Sequence, residues 1–377
     1  MTTEQLRAEF PYLENGMIYL NHAASGPWSR FVERGVQRHL QGRTYGEVDI
    51  FADTIRIIGE ARSMSARMIG TDPSRIAFVL NTSEGLNVLA SGLPWKSGDR
   101  VVLIDQEFPS NIYPFLNLRR LGVEIDFVRQ REGRIELEDI EAVMTDRTRL
   151  VAVSWVQFLS GFTLDLAAVK AICDRHDALL SVDAIQGLGA RQLDVNKVSV
   201  DFLSSGVQKW QLGPQGVGIM YVSTKVQDLI RQSHVGWISV QNAWDFFDYV
   251  LDLQEDARRY ENGTFNAVGI SGYHGALSFF EQIGFDEAER RVREITTYTF
   301  ERAMELGFDV VTPAEEALRA GIVTFRHPQA EEVQKHLQQR KMVVSARVGH
   351  VRVSPHFYNL REEVDAVLSS VKEFQLA

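Results

Sequence analysis

The segment Ser181–Val222 reads SVDAIQGLGARQLDVNKVSVDFLSSGVQKWQLGPQGVGIMYV. Asp183 follows the apolar run Ala178–Val182, which begins just before this segment, and a second short apolar run follows Asp201. Lys209 lies just past this second run. In parallel α/β sheets, ligands bind at the carboxyl ends of the strands. The segment therefore predicts two strands, with Asp183 and Lys209 close to the ligand-binding edge of their sheet.

Short apolar runs of this kind alternate with amphipathic segments over most of the chain. The predicted strands are Ile76–Leu80, Val101–Ile104, Glu124–Val128, Leu150–Val156, Leu179–Val182, Phe202–Ser204 and Gly218–Val222. The predicted helices among them are Gly85–Gly92, Asn111–Leu121, Leu137–Met144 and Leu166–His176. Runs that are apolar throughout are typical of a parallel sheet covered by helices on both faces, so we predict an α/β fold.

The pattern changes after about residue 275, where long charged helices and short strands alternate. The predicted elements are Ser278–Gly284, Phe285–Glu305, Gly321–Arg326, Glu331–Arg340, Met342–Ser345, Val351–Ser354 and Arg361–Phe374. This order predicts a small α+β domain. We therefore expect a large domain over residues 16–275 and a small C-terminal domain over residues 276–377, with residues 1–15 packed nearby.

Composition narrows the class of protein. The 377 residues carry a formal net charge of −10, which argues against a nucleic-acid partner or a membrane-surface partner. Cys173 is the single cysteine, so a disulfide within the chain is impossible. The sequence shows no signal-peptide pattern, no apolar run of membrane-spanning length and no metal-binding histidine motif. These observations predict a cytoplasmic protein without a metal site.

The surroundings of Lys209 suggest a chemical role. Its neighbours include Val207, Trp210 and Leu212, which would remove water from the amine. Loss of water lowers the pKa of a lysine and makes the neutral amine a nucleophile for a carbonyl group. A lone lysine beside a turn is more often a surface residue, so this role depends on the residues around it.

Those residues form a recognisable pattern. Asp183 and Gln186 give D-x-x-Q, and Lys209 is followed by the turn Gly213-Pro-Gln-Gly216. This arrangement resembles the aminotransferase class V family, the fold-type I enzymes of pyridoxal 5′-phosphate (PLP) that include the cysteine desulfurases. The resemblance extends from about Tyr19 to Val371. It implies a large domain with a mainly parallel seven-stranded sheet.

The resemblance implies roles for residues around the cofactor ring. Lys209 is similar to the lysine that carries PLP as a Schiff base and then moves the proton of the substrate α-carbon. Asp183 is similar to the partner of the pyridine nitrogen, and Gln186 to the residue that binds the 3′-oxygen. Gln157 lies in a segment that reaches the same side of the cofactor. Phe108 aligns with the stacking ring, where cysteine desulfurases usually have histidine.

A second group of residues is implied at the cofactor phosphate. Thr82 and Ser83 lie at a predicted helix start, where hydroxyl and backbone N–H groups bind anions. The family often reads Ser-Gly-His-Lys before its lysine, and this chain has Gly206-Val-Gln-Lys209, so Ser205 and Gln208 become the candidates. Thr264 is similar to a threonine that reaches the phosphate of the partner subunit, which implies a homodimer.

The ends of the chain are implied to bind an amino-acid substrate. Arg352 aligns with the arginine that binds the α-carboxylate, because a guanidinium group matches a planar carboxylate. Arg347 aligns with a second active-site arginine. Near the N-terminus, His22 and Ala23 belong to a loop, together with Asn21, that lines the substrate side.

One difference from the desulfurases bears on the reaction. Only Val348-Gly-His-Val351 separates the two arginines, so the loop that carries the desulfurase cysteine is missing. Cys173 lies in a predicted helix as a buried apolar residue and is no replacement. A persulfide-forming desulfurase is therefore not expected.

Three reactions stay open. The preferred one is a class V aminotransferase, with an α-keto acid as co-substrate. A C–S or β-elimination lyase without a catalytic cysteine is the first alternative. A racemase or epimerase is the second, and it would use His22 or Tyr113 as a second proton donor. A non-enzymatic binding protein on the same scaffold would be expected to lose Lys209 or Asp183, and this chain has both.

Overall fold

The structure is a computed structural model, and it describes residues 1–376 of the chain. The strands of these residues are, in chain order, β1 (Ile18–Tyr19), β2 (Ile76–Val79), β3 (Arg100–Ile104), β4 (Glu124–Val128), β5 (Thr148–Ser154), β6 (Leu179–Asp183), β7 (Phe202–Gly206), β8 (Gly218–Val222), β9 (Asp309–Val310), β10 (Val323–Arg326), β11 (Met342–Val343), β12 (Ser345–Arg347) and β13 (His350–Val353).

The α-helices of these residues pack on both faces of the main sheet and against the small sheet. They are α1 (Thr3–Ala8), α2 (Arg30–Thr44), α3 (Phe51–Met68), α4 (Thr82–Gly92), α5 (Tyr113–Leu116), α6 (Leu137–Val143), α7 (Leu166–Arg175), α8 (Val195–Val198), α9 (Thr224–Leu229), α10 (Ala267–Ile283), α11 (Phe285–Glu305), α12 (Ala330–Gln339) and α13 (Arg361–Leu376).

The main sheet has seven strands in the order β2-β8-β7-β6-β5-β3-β4. β8 runs antiparallel to β2 and to β7, and the other neighbours are parallel. Two hydrophobic cores lie on the two faces of this sheet, because successive side chains of one strand point to opposite faces. The prediction of an α/β fold with a mainly parallel seven-stranded sheet is confirmed.

A second, four-stranded sheet in the order β12-β13-β10-β9 is antiparallel. It shares a separate core with α11, α12 and α13. The predicted division between residues 275 and 276 falls inside α10, which runs without a break from Ala267 to Ile283. That division stays a prediction, and so does the assignment of residues 1–15, although Phe10 stacks on Tyr358 with ring centroids 3.8 Å apart.

One predicted helix is broken in the structure. Asn111–Leu121 is divided into the 3-10 turn Pro109–Asn111, the single-turn α5 and the 3-10 turn Asn117–Leu121. Pro114 explains the break, because proline has no N–H for the helical hydrogen-bond ladder and sits only in a first turn.

The start of α4 is fixed by local contacts. Asn81 caps it, with its side-chain oxygen accepting a hydrogen bond from the Glu84 N–H at 3.0 Å. Gly85 lets the helix lie directly on β7, because a Cβ there would collide with the Ser204 hydroxyl. The first turn of α4 is thereby held at the carboxyl end of the sheet, next to the strand that leads to Lys209.

Candidate active site

A cavity of about 650 Å³ opens at the carboxyl ends of the parallel strands. It is lined by parts of the chain that are far apart in sequence: Ala23, Ala24, Asn81, Thr82, Ser83, Phe108, Pro109, Ser110, Phe158, Ile185, Gln186, Gln208, Lys209, Arg347 and Arg352. Nine of these residues are candidates from the sequence: Ala23, Thr82, Ser83, Phe108, Gln186, Gln208, Lys209, Arg347 and Arg352. No aspartate or glutamate of the described residues lines the cavity.

Lys209 lies in the turn after β7, and the N-terminal loop packs over this turn. The Gly26 N–H donates to the Gln208 carbonyl at 2.8 Å, and a Cβ at Gly26 would collide with the Lys209 carbonyl. The Lys209 amine lies 5.4 Å from the centroid of the Phe108 ring. The lysine and the aromatic ring therefore face the same space.

The charge of Lys209 is destabilised where it lies. Burial lowers the pKa of its amine below the usual range for lysine, and the positive charges of Arg352 and Arg347 act in the same direction. Asp183 acts in the opposite direction. At a given pH, a larger fraction of the Lys209 amine is therefore neutral, and so nucleophilic, than for a surface lysine.

Asp183 ends β6 and is buried beside the cavity. Its Oδ1 accepts the Ile185 N–H at 3.0 Å, which fixes the side chain. Burial raises the pKa of its carboxyl above the usual range, and the charge of Glu107 adds to the rise. Within the described residues its Oδ2 is buried without a hydrogen-bond partner, which is costly unless a ligand supplies a donor.

Gln186 is held on both sides of its amide. Its Nε2 donates to the Ala23 carbonyl at 3.0 Å, and its Oε1 accepts from the Trp210 indole N–H at 2.9 Å. One N–H of the amide is left for a ligand in the cavity. The residue therefore has a fixed orientation and a spare donor.

The first turn of α4 provides an anion site on another wall. Thr82 is buried, and its hydroxyl oxygen accepts the Gly206 N–H at 2.8 Å, which leaves its hydrogen free to donate. The Ser83 hydroxyl donates to Ser110 Oγ at 2.8 Å. Hydroxyl groups and free backbone N–H groups at a helix start suit a phosphate.

The opposite wall is a hairpin, β12 and β13 (residues 345–353), which we call the arginine hairpin. Arg352 is buried, with its guanidinium donating to the Phe158 carbonyl at 2.6 Å and to the Ser345 hydroxyl at 3.4 Å. Its Nε is buried without a partner in the described residues. Burial lowers the pKa of Arg352 to about 10, and the nearby charge of Arg347 contributes.

The chemistry of these groups suits PLP. The Asp183 oxygen lacks the donor that a protonated ring nitrogen would provide, and Phe108 offers an aromatic face. The α4 start matches a phosphate, and Lys209 offers an amine for the cofactor aldehyde.

Comparisons with known proteins agree with this geometry. Residues 18–367 match the family described as Aminotransferase class-V. The chain belongs to the aminotransferase class-V family. Since the members of this family are PLP-dependent enzymes, the predictions of the family and of a PLP-dependent enzyme are confirmed.

The class-V relatives carry different names. The uncharacterized aminotransferase YcbU of Bacillus subtilis (strain 168) is 27% identical over 368 residues, covering 98% of this chain and 97% of the relative. A probable cysteine desulfurase of Pyrococcus abyssi (strain GE5 / Orsay) is 30% identical over 335 residues, covering 83% and 82%. The apo structure of a cysteine desulfurase from Thermococcus onnurineus NA1 superposes with a TM-score of 0.89 at 27% identity, covering 98% of this chain and 97% of that one, and this supports the predicted fold-type I architecture.

Two residues that the family resemblance assigned to the site do not line the cavity. His22 is fully buried. Its Nδ1 lies 2.9 Å from the Ser354 carbonyl and its Nε2 lies 2.7 Å from the Tyr358 hydroxyl, so both ring nitrogens have partners. Ser205 is also fully buried, and its hydroxyl donates to the Gly206 carbonyl and accepts from Gln211. The structure therefore places neither side chain in the lining of the cavity, and their contact with substrate or phosphate stays a prediction.

Gln157 lies behind the cavity wall instead of lining it. Its Nε2 donates to the Glu107 carboxylate at 3.0 Å, and its Oε1 accepts from Gln130 at 2.9 Å. Sequence reasoning gave Glu107 no role, yet this carboxyl is buried, also accepts the Ser154 N–H at 2.9 Å, and has its pKa raised by burial. Its signal in the sequence is an acidic residue after an apolar strand, directly before Phe108.

Thr264 and Tyr113 lie outside the cavity of this chain. Thr264 is exposed and lines a hollow of about 200 Å³ that also contains Leu80 and Glu84. Tyr113 is 66% exposed and lines a neighbouring hollow that shares Ser83 and Phe108 with the cavity. The role of Thr264 across a subunit interface stays a prediction.

Two further findings concern membrane-spanning helices and metal sites, neither of which was expected from the sequence. In residues 1–376, no helix is both long and apolar enough to cross a membrane. Over the same residues, no group of three or more His, Cys, Asp or Glu side chains is arranged to hold a metal ion. The cytoplasmic location stays a prediction.

Proposed function

We propose that this chain binds PLP covalently through Lys209 and transfers the amino group of an amino acid to an α-keto acid. The observation that carries the proposal is that Lys209 lines the cavity with an amine whose pKa is lowered by burial, while the buried Oδ2 of Asp183 beside the cavity has no partner in the described residues. Asp183, Gln186, Thr82, Ser83, Gln208 and Phe108 would hold the cofactor.

Each residue around the cofactor has its own task. When bound, PLP supplies an acceptor for the electron pair left on the substrate α-carbon. The Asp183 carboxylate would accept a hydrogen bond from the ring nitrogen of the cofactor and keep that nitrogen protonated. The Lys209 amine, with its lowered pKa, would take the proton from the substrate α-carbon and deliver it to the carbon of the former cofactor aldehyde, as amino transfer requires. Arg352 binds the substrate α-carboxylate through the guanidinium edge that includes its unpartnered Nε.

The desulfurase reaction has no support from the thiol of this chain. Cys173 is fully buried in α7, and burial raises the pKa of its thiol to about 12. The arginine hairpin turns through Val348 and Gly349 alone, so this hairpin has no loop that could carry a nucleophile into the cavity.

Two alternatives differ from transamination in the step that comes after removal of the α-proton. A C–S or β-elimination lyase would use the same Lys209, Asp183 and Arg352. A racemase or epimerase would need a second proton donor, and Tyr113 at the neighbouring hollow is the remaining candidate because His22 is enclosed.

We also propose that the active unit is a homodimer in which Thr264 reaches the phosphate site of the partner subunit. Thr264 shares its hollow with Glu84, in the first turn of α4, so both halves of the contact lie on one surface of the chain. A two-fold axis brings one such surface against its copy, as in an isologous dimer. Mixing Lys209→Ala with Thr264→Ala chains should restore activity to half of the sites of the mixed dimers, whereas either variant alone stays impaired. No recovery on mixing would contradict the contact.

The reaction is tested by an absorbance spectrum of the protein with PLP, for wild type, Lys209→Ala and the control Lys225→Ala, whose side chain is exposed on α9. Wild type and the control should show the band of PLP bound to a lysine, and Lys209→Ala should lack it. A panel of amino acids is then added with and without an α-keto acid.

Each product pattern points to one reaction. An amino acid formed from the keto acid supports the aminotransferase. Pyruvate with a released β-group, formed without any acceptor, indicates the lyase. Loss of optical activity indicates the racemase. An unchanged band in Lys209→Ala would overturn the assignment of the lysine.

A further inference from the structure

The two arginines of the arginine hairpin lie on one face of it. Ser345 is directly opposite Arg352, and Arg347 is two residues along the same strand. Since directly opposed residues and residues two apart share a face, both guanidinium groups point to the same side. Val348 and Gly349 both have positive φ, 49° and 73°, as the tight two-residue turn requires. The short turn therefore keeps Arg347 at the mouth of the cavity.

The two arginines differ in how their charges are balanced. Arg352 is buried and held by the Phe158 carbonyl and the Ser345 hydroxyl. Arg347 is exposed, and it takes part in none of the ion pairs or side-chain hydrogen bonds among residues 1–376. No carboxylate of those residues lines the cavity to neutralise it. One substrate carboxylate can pair with Arg352, and Arg347 is then left with an unmatched positive charge.

We propose that Arg347 binds an anionic group on the substrate side chain, so that the substrate is an acidic amino acid. The proposal rests on the function proposed above, because Arg352 must already bind the α-carboxylate. A guanidinium fork matches a second carboxylate, or a sulfinate, through two parallel hydrogen bonds. The like charge of Arg352 adds to the attraction, and both cations gain a partner when a doubly acidic ligand enters.

The test is a spectral titration of the PLP-loaded protein with matched acid and amide pairs: L-aspartate against L-asparagine, and L-glutamate against L-glutamine. Each pair has nearly the same shape and differs in one charge. Half-saturation is read from the change in the cofactor band, so no turnover is needed. The variants are Arg347→Gln, Arg347→Lys and the control His350→Gln, which changes the residue opposite Arg347 on the same hairpin.

Wild type and the control should bind the acid of a pair about tenfold more tightly than its amide. Arg347→Gln should remove that preference while changing the affinity for the amides by less than about twofold, and Arg347→Lys should keep part of it because the charge remains.

Equal affinity for acid and amide in the wild type would overturn the proposal. An equal loss for acids and amides in Arg347→Gln would also overturn it, because Arg347 would then bind the α-carboxylate or the cofactor phosphate. Failure of the proposed function looks different. In that case no amino acid changes the band, or the band itself survives in Lys209→Ala.

Discussion

The sheet side of the cavity and the arginine hairpin hold their polar groups in different ways. On the sheet side, Asp183, Gln186 and Thr82 are buried and oriented by hydrogen bonds to the backbone or to Trp210. On the hairpin side, Arg352 is also buried and hydrogen-bonded but keeps an unpartnered Nε within residues 1–376, and Arg347 is exposed without a side-chain partner there. The first wall is organised in advance for one cofactor, and the second offers positive charge to an arriving anion. This difference suggests that the class-V chemistry resides in the sheet and the choice of substrate in the hairpin.

The largest effect is expected from a substitution on the sheet side of the cavity. Asp183→Asn keeps the shape and the Oδ1 acceptor for the Ile185 N–H but removes the negative charge. We expect kcat to fall by about 100-fold or more, since a group aimed at charge that develops during the reaction is lost. Steady-state kinetics at saturating amino acid would measure the fall. A kcat within about threefold of wild type would show that Asp183 does not control the protonation of the ring.

A substitution on the arginine hairpin should instead weaken the binding of the amino acid. Arg352→Gln removes a buried charge that faces the substrate, which costs about 2–5 kcal/mol of binding when its partner is a carboxylate. The half-saturating concentration of amino acid should therefore rise by about 100-fold, with cofactor binding unchanged. Arg326→Gln, an exposed arginine on the neighbouring strand β10, is the control. Loss of PLP binding in Arg352→Gln would place this arginine on the cofactor side.

Two buried histidines, His22 and His356, lie where the sheet side of the cavity meets the hairpin side. The His356 Nε2 lies 2.9 Å from the carbonyl of Trp210, next to Lys209, and the His356 and His22 rings contact each other edge to face, with centroids 4.9 Å apart. Burial lowers the pKa of His356 from 6.5 to about 3 and holds that of His22 well below its usual value. Both rings are therefore neutral in the folded protein.

This pair predicts a loss of stability in acid. A pKa lowered by folding gives stability that is fully present above pH 6.5 and is lost as the pH falls toward the folded value. For His356 alone the free energy of unfolding should fall by about 2 kcal/mol between about pH 7.5 and pH 5. Urea unfolding at the two pH values measures it. His356→Gln should show less of this dependence, and the exposed control His234→Gln should keep all of it.

The smallest effect is expected at Cys173, away from both walls. Cys173→Ala should lower the free energy of unfolding by about 1 kcal/mol and leave kcat unchanged, because the thiol is buried in the core. Thiol-modifying reagents should leave the folded wild type active. Inactivation that tracks modification of Cys173 would reopen the desulfurase reaction.

Much of this molecule could be predicted from local signals in its sequence. β4, β8 and α11 have the predicted bounds, because their patterns are long or clearly bounded. Asp183 and Lys209 were expected near the ends of two strands, and the structure places those strands, β6 and β7, side by side, whereas the cofactor roles of Asp183, Gln186 and Lys209 came from the family resemblance. A helix start after a strand was readable from the residue types, and the structure begins α4 at Thr82, whereas the phosphate role of Thr82 and Ser83 came from the family resemblance.

The side chains that lie elsewhere than the sequence led us to expect are held by contacts that a local pattern does not contain. His22 is enclosed by Tyr358, which lies 336 residues away, and Gln157 is held by Glu107, which lies 50 residues away. Ser205 faces away from α4 because neighbouring strand residues alternate, and it is Ser204 whose hydroxyl donates to the Thr82 carbonyl at 3.0 Å. Such pairings depend on the packing of the whole fold, which no local pattern contains.

The central claim is that Lys209 is the residue to which the cofactor attaches, and borohydride reduction of the PLP-loaded protein tests it directly. Reduction makes the bond between PLP and the lysine permanent, and mass spectrometry of the resulting peptides locates it. The account predicts one cofactor adduct per chain, on the peptide that contains Lys209, and none in Lys209→Ala. An adduct on another lysine, or none in the wild type, would contradict it.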